Sequence, residues 1–225
     1  MKRDEKLAKE LVSWFGEHER SFPWRKTRDP YEIFIAELLL QKTQATMVEK
    51  TYNHFLHNFP NIRVLSTAKV SEVRKIVGRL GLSYRAARLV KIAKLIETEH
   101  EGRFPRKLDD LLKLPGVGPY VANAVLCFAF NKPALIVDSN VMRVMSRYSG
   151  IYFEKDFRER FEKVLKIVPS RKFNLALIDF AALICTPRGP KCVECPIENL
   201  CEKCAINRKN WKFLRKVKGG KLREQ

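Results

Sequence analysis

An all-α fold is predicted, on three observations. Apolar residues recur at the three-to-four spacing of one helix face along most of the chain. Proline and glycine punctuate those stretches at short intervals. No segment alternates apolar and polar residues as a half-buried strand would, and no hairpin signal occurs.

The elements follow in order. Leu7, Leu11, Val12, Trp14 and Phe15 mark a helix over 4–20, which Phe22-Pro23-Trp24 breaks. Asp29-Pro30 opens a second helix that carries Ile33, Phe34, Ile35, Leu38, Leu39 and Leu40. Amphipathic patterns over 46–59 and 71–80 give two more, the latter ended by Gly81. A helix over Ala86 to Glu99 and a short one over Leu108 to Leu112 come next, stopped by Pro115-Gly116. Val121 to Phe130 is apolar on nearly all sides, which predicts a central buried helix. Helices at 139–148, 156–168 and 172–184 complete the set, and a basic tail over 208–225 is read as a mobile arm.

The balance of charge points to a partner. Lys and Arg number 44 against 25 Asp and Glu, a formal charge of +19 in 225 residues. Such an excess favours a polyanion, with nucleic acid first; a generally basic, soluble protein is the plainer explanation. The 45% hydrophobic content suffices for a core. No stretch of eighteen apolar residues exists, so no membrane partner is expected. No surface for a partner helix stands out, and a monomer is expected.

Cys185, Cys192, Cys195 and Cys201 are spaced C-x6-C-x2-C-x5-C. Four thiolates from one short segment can surround a single centre. Gaps of six, two and five suit a group larger than one ion, which favours a [4Fe–4S] cluster over zinc. Structural zinc usually shows two C-x2-C pairs, and here there is one. A disulfide framework is weaker, because no secretory signal pattern opens the sequence. Cys204 and Cys127 are spare, the latter read as a small buried hydrophobe.

A second signal is Leu114-Pro115-Gly116-Val117-Gly118-Pro119-Tyr120, between a short helix and a buried one. Glycines either side of Val117 permit a tight turn and a close backbone approach. The helix beyond begins with N–H groups that bind phosphate without reading sequence. Helix, L-P-G-V-G and apolar helix together form a helix-hairpin-helix pattern, in which Leu114, Gly116, Val117 and Gly118 are expected at DNA. Third comes Asp138, at the end of the apolar run 133–137. Its plainest role is to cap the helix that starts near Ser139. Close in sequence to a phosphate-binding turn, a carboxylate has a second use: it can stabilise the sugar cation formed when an N-glycosidic bond breaks.

With these motifs the chain resembles the helix-hairpin-helix DNA glycosylases of the endonuclease III superfamily. The resemblance runs from about Phe22 to Cys201. It rests on L-P-G-V-G at 114–118, Asp138 eighteen positions beyond Tyr120, and the cysteine spacing, with F-P-W-R at 22–25, D-P-Y at 29–31 and E-L-L-L-Q at 37–41. It implies two helical lobes with the flipped base in the cleft between them. One would be a six-helix barrel-like lobe over 22–132 with the hairpin, the other 1–21 plus 133–207 with an iron–sulfur cluster loop. It implies a [4Fe–4S] cluster on Cys185, Cys192, Cys195 and Cys201, Asp138 as the catalytic carboxylate, and a cytoplasmic, nucleoid-associated protein of prokaryotic type. Base-excision repair of double-stranded DNA containing a mismatch is the implied function.

The branch of the family turns on a few positions. Members that also cut the strand carry lysine where this chain has Tyr120, because a Schiff base needs an amine. Little or no lyase activity is expected, with Lys113 and Lys132 the lysines that could substitute. Tyrosine there is similar to the adenine-specific mismatch glycosylases and to the archaeal-type thymine glycosylases acting on G·T and G·U. Both carry a glutamate matching Glu37, with a role in proton delivery or water activation; its structural alternative is a buried carboxylate. Adenine-specific members typically show valine where this chain has Ala45, and glutamine where it has Leu175 after Phe173-Asn174. Glutamine can pair with the adenine edge, and leucine instead suits the thymine methyl. The 24 residues after Cys201 leave no room for the domain that adenine-specific members usually append. Gly81-Leu82-Ser83-Tyr84 points the other way, since it resembles their G-L-G-Y wedge. Gln41 is a second wedge, filling the space of the flipped nucleotide.

The expectation is therefore a monofunctional glycosylase that removes thymine or uracil opposite guanine. An adenine glycosylase is the alternative. A non-catalytic iron–sulfur DNA-binding protein is a more distant one.

Overall fold

A computed structural model of the chain describes residues 2–81 and 83–202. Cys204, Leu82 and the basic tail lie outside the described residues. The described chain is helical throughout and divides into two compact units.

One unit is built from residues 20–136 and 169–174. The α-helices of the described residues are, in chain order, α1 (Lys2–His18), α2 (Pro23–Lys26), α3 (Pro30–Leu40), α4 (Ala45–Asn58), α5 (Ile62–Thr67), α6 (Val70–Val77), α7 (Ala86–Glu99), α8 (Leu108–Lys113), α9 (Pro119–Phe128), α10 (Ser139–Ser149), α11 (Glu154–Phe161) and α12 (Ser170–Leu183), of which α2 to α9 fall in this unit. Asp29 caps α3, its Oδ1 accepting from the backbone N–H of Tyr31 and Glu32 at 2.8 and 3.0 Å, and Pro30 takes the first turn where no N–H is needed. Ile33, Phe34, Ile35, Ala36, Leu38 and Leu39 are all buried, so α3 is a core helix on every side. It packs against α9, where every residue from Val121 to Phe128 is buried. Phe22 and Trp24 stack at 4.9 Å, and the Trp24 ring meets Tyr52 edge-on.

Three expectations needed revision in this unit. The break at Phe22-Pro23-Trp24 stands, since α1 ends at His18, but Pro23 and Trp24 themselves open a single helical turn, α2. A helix stands at α5, where the pattern over 62–67 is too short to register by periodicity; Asn61 caps it by accepting from the Val64 N–H at 3.0 Å. The 71–80 helix ends at Val77 and tightens into a 3₁₀ turn (Gly78–Leu80), closed by Gly81 at φ 70°.

The other unit holds residues 2–19, 137–168 and those from 175 onward. Leu7, Ala8, Leu11 and Phe15 of α1 are buried, as are Tyr148, Phe157, Phe161 and Phe180. The 156–168 helix is two pieces, α11 and a 3₁₀ turn at Val164–Lys166. Asp4, buried near the start of α1, accepts from Arg160 at 2.7 and 2.9 Å and from the Tyr148 hydroxyl at 3.1 Å. Beyond α12 the described residues hold 3₁₀ turns at Cys192–Glu194 and Glu198–Leu200. Among the described residues no helix is long and apolar enough to cross a membrane.

Candidate active site

In the first unit the α8–turn–α9 segment forms the expected helix-hairpin-helix. Gly116 has φ 75°, a left-handed conformation in which a side chain is strained. A Cβ there would also fall 2.6–2.8 Å from the Arg88 guanidinium and its stem. Leu114 and Val117 are buried, so their side chains seat the turn rather than face a ligand. What the turn offers outward is backbone at Gly116 and Gly118, and α9 starts with no side-chain cap at Gly118. That combination suits an anion at the helix N-terminus.

Tyr120 stands in the first turn of α9 and Glu37 on the packed helix α3. Glu37 is only 4% exposed, although a glutamate is rarely buried. Ala45 opens α4 and is half-buried. Lys113 and Lys132 are both engaged: Lys113 Nζ pairs with Asp110 at 2.9 Å, and Lys132 Nζ donates to the Arg106 carbonyl. The hydrogen bond and charge of Asp110 raise the Lys113 ammonium, which makes a free amine scarcer.

Gln41 and Tyr84 come together on one side chain. Gln41 caps the C-terminal end of α3, and Tyr84, 63% exposed, sits in a 3₁₀ turn before α7. Arg85 donates to the Gln41 carbonyl at 2.8 Å and to the Tyr84 hydroxyl at 3.1 Å. Arg85 was not foreseen from the sequence. Its only signal is an arginine at the start of a helix whose next face is apolar.

In the second unit Asp138 caps α10. Its Oδ1 accepts from the backbone N–H of Asn140 and Val141 at 2.9 and 2.7 Å, and its Oδ2 accepts from Asn140 Nδ2 at 2.9 Å. The capping role is thus realised. It also fixes the carboxylate in one orientation. Asn140 Oδ1 in turn accepts from Arg143 at 2.7 Å, and Arg143 donates onward to the carbonyls of Cys185 and Ala181 at 3.0 and 2.9 Å. A continuous hydrogen-bonded path therefore joins Asp138 to the first cysteine of the loop. Leu175 is buried in α12. Next to it Asn174, fully buried, belongs to the first unit with the 133–136 run. Its Oδ1 accepts from the Ile136 N–H, and its Nδ2 donates to the Ala134 and Ser170 carbonyls, each at 2.8 Å. Asn174 thus holds the extended run that leads into Asp138.

Arg147, one turn beyond Arg143, organises the cysteine loop. It donates to the Thr186 carbonyl at 2.8 Å and to Cys185 Sγ at 3.2 Å, while Cys201 Sγ donates to the Arg147 carbonyl at 3.2 Å. Arg3 holds the far end through the Leu200 carbonyl at 3.1 Å and Glu202 at 2.7 Å. Cys185, Cys192, Cys195 and Cys201 are free thiols, each half-buried. Burial pushes Cys195 up to about 11, opposed by a hydrogen bond from the Ile197 backbone. Among the described residues no three His, Cys, Asp or Glu side chains close on one point as a single metal ion requires. The four half-buried thiols on one loop, with Arg147 donating to Cys185 Sγ, form a donor set of the kind that holds thiolate-bound groups. Cys127 is buried beside Asn174, well away in sequence from this loop, as a small hydrophobe should be.

The helical fold, the glycine turn and the capped aspartate define a DNA base-excision repair protein: residues 35–170 match the HhH-GPD superfamily base excision DNA repair proteins, and the chain belongs to that family. Among relatives, it is 40% identical to a thymine/uracil-DNA glycosylase of Methanothermobacter thermautotrophicus, covering 87% of this chain and 93% of that one. It is 37% identical to a thymine-DNA glycosylase of Aeropyrum pernix over 88% and 94% of the two chains. An adenine DNA glycosylase of Buchnera aphidicola is also 37% identical over 88% of this chain, but only 58% of its own length is covered. Among solved structures, a thermostable thymine-DNA glycosylase superposes with a TM-score of 0.83 at 38% identity over 90% and 96% of the chains. An endonuclease III in a non-covalent DNA complex gives 0.75 at 26% identity, over 95% and 98%.

Proposed function

We propose that this protein is a monofunctional DNA glycosylase that releases thymine or uracil mispaired with guanine and leaves an abasic site. The observation that carries the reading is the match to thymine/uracil-DNA glycosylases over nearly their whole length. Ala45 and the buried Leu175 support it, since each carries an apolar side chain that suits a pyrimidine methyl rather than the polar edge of adenine.

The chemistry is assigned residue by residue. Backbone at Gly116 and Gly118 binds a phosphate next to the lesion. Gln41 and Tyr84 enter the stack as the mispaired base turns out, which costs less at G·T than at a sound pair. The C1′–N bond breaks and the base leaves with the bonding pair. Glu37 supplies a proton to the departing base or takes one from the attacking water. Asp138, oriented by its three donors, stabilises the positive charge that develops on the sugar. Water adds to C1′, and the strand stays intact because Tyr120 is a phenol and cannot form an imine. Cys185, Cys192, Cys195 and Cys201 would hold a [4Fe–4S] cluster, which supplies a rigid charged fold element at DNA and takes no part in these steps.

Base release from duplexes carrying G·T, G·U, A·G and A·8-oxoG, with and without alkali, tests this reading. Release of thymine or uracil, with cleavage only after alkali, is expected. Release of adenine would assign the protein to the adenine branch, which the 37% identity to an adenine DNA glycosylase and the Gly81–Tyr84 motif favour.

A further inference from the structure

Arg85 occupies an unusual position. It is 5% exposed, directly beside the exposed Tyr84 ring. Its guanidinium forks onto the end of α3, one Nη donating to the Leu38 carbonyl at 2.6 Å and the other to the Gln41 carbonyl at 2.8 Å. Helix ends leave such carbonyls without intrahelical donors, and the negative end of the helix dipole favours a cation there. The turn that follows needs the anchor. Lys42 is left-handed at φ 61°, an unfavourable conformation for lysine, and Thr43 Oγ1 adds only a long bond to the Gln41 carbonyl at 3.4 Å.

The third donor decides something further. Arg85 Nε donates to the Tyr84 hydroxyl oxygen at 3.1 Å. A hydroxyl has one proton and two acceptor lone pairs, whereas a guanidinium can only donate. The bond therefore fills a lone pair of Tyr84 and turns the phenolic proton away from Arg85, toward whatever the exposed ring meets.

We propose that Arg85 is a positioning residue that sets Tyr84 as a hydrogen-bond donor toward the base left opposite the extruded nucleotide, and so selects guanine there. Guanine presents the O6 acceptor where adenine presents an amino donor. The inference rests on the reading that Tyr84 enters the duplex beside the orphaned base. It holds for either target base, because the partner is guanine or its 8-oxo form in both. Arg85 also bonds the Gln41 backbone carbonyl, so one guanidinium anchors the Tyr84 side chain and the backbone that carries Gln41.

The test uses uracil, which can be placed opposite either purine with the same leaving group. Single-turnover release from G·U and A·U duplexes is compared for the parent, Tyr84→Phe, Arg85→Met and the double variant. Binding of each protein to a duplex with an abasic site opposite guanine or adenine reads the same preference without catalysis. The different stabilities of the two duplexes cancel between variants. Tyr84→Phe keeps the ring and removes only the hydroxyl, so the guanine preference should fall about tenfold in both assays, one hydrogen bond's worth. Arg85→Met should lower it similarly, and the double variant no further, because both changes remove one device. Arg85→Lys, which keeps the charge but not the fork, should recover binding without recovering the preference. An unchanged preference in Tyr84→Phe overturns the proposal, as does a double variant whose loss is the product of the two single losses. Failure of the parent to release uracil, with guanine preference in binding intact and lost in Tyr84→Phe, would instead count against the proposed function alone.

Discussion

Asp138 serves one purpose in the fold and, in the proposed reaction, a second. As the cap of α10 it needs an oxygen that accepts from Asn140 and Val141, and asparagine can supply that. As the group facing a sugar cation it needs a negative charge, which asparagine lacks. Asp138→Asn should therefore fold with stability within about 0.5 kcal/mol of the parent and release base at least about a hundredfold more slowly. Thermal melts and single-turnover assays separate the two effects. Equal turnover would remove Asp138 from the chemistry. Tyr120 makes a sharper contrast. Borohydride should trap no covalent DNA adduct with the parent, whereas Tyr120→Lys should yield one, since the amine is then present. At Asp4, burial alone would raise the carboxyl, but Arg160 and the Tyr148 hydroxyl outweigh it and the net direction is down. A carboxyl lowered in the folded state stabilises the fold above its unfolded value of about 3.9, and that stability is lost as pH falls through the lower folded value. Acid unfolding below about pH 4 should thus be less steep in Asp4→Asn, as followed by far-ultraviolet circular dichroism.

At the scale of elements, the sequence was most legible where a helix is long and one-faced or wholly apolar. α3, α7 and α9 were foreseen to within a few residues because periodicity and composition agree there. α5 was missed because six residues carry too few turns to show a period. The cysteine loop has no periodicity at all. Its shape is set by Arg147 and Arg3, which reach its carbonyls from α10 and α1. Replacing Arg147 by Met should loosen the segment over 185–201, seen as faster loss of visible absorbance under oxidation if the cluster is present, and as faster amide exchange in that loop in any case. The run into Asp138 depends likewise on Asn174. Leucine there would strand the buried Ile136 N–H and Ala134 carbonyl and cost about 2–4 kcal/mol. A melting temperature unchanged from the parent would mean that water replaces the amide.

For the whole chain, the +19 charge makes a quantitative demand. If it serves phosphate binding, duplex affinity must fall steeply with salt. A protein neutralising about six phosphates loses roughly a thousandfold between about 50 and 200 mM salt. A flat dependence would mean that the charge serves solubility instead. The sequence by itself determined the helical class, the glycine turn, the cysteine spacing and the residue types at 37, 120 and 138. These are local properties: periodicity, φ > 0 at Gly116 and the chemistry of single side chains are written in contiguous residues. Only the tertiary structure revealed that Arg85 joins Gln41 to Tyr84, that Asn140 and Arg143 join Asp138 to Cys185, and that Asn174 holds the run before Asp138. Each of these links contains a hydrogen bond between residues 38 to 44 positions apart, and a hydrogen bond between distant segments leaves no pattern along the chain.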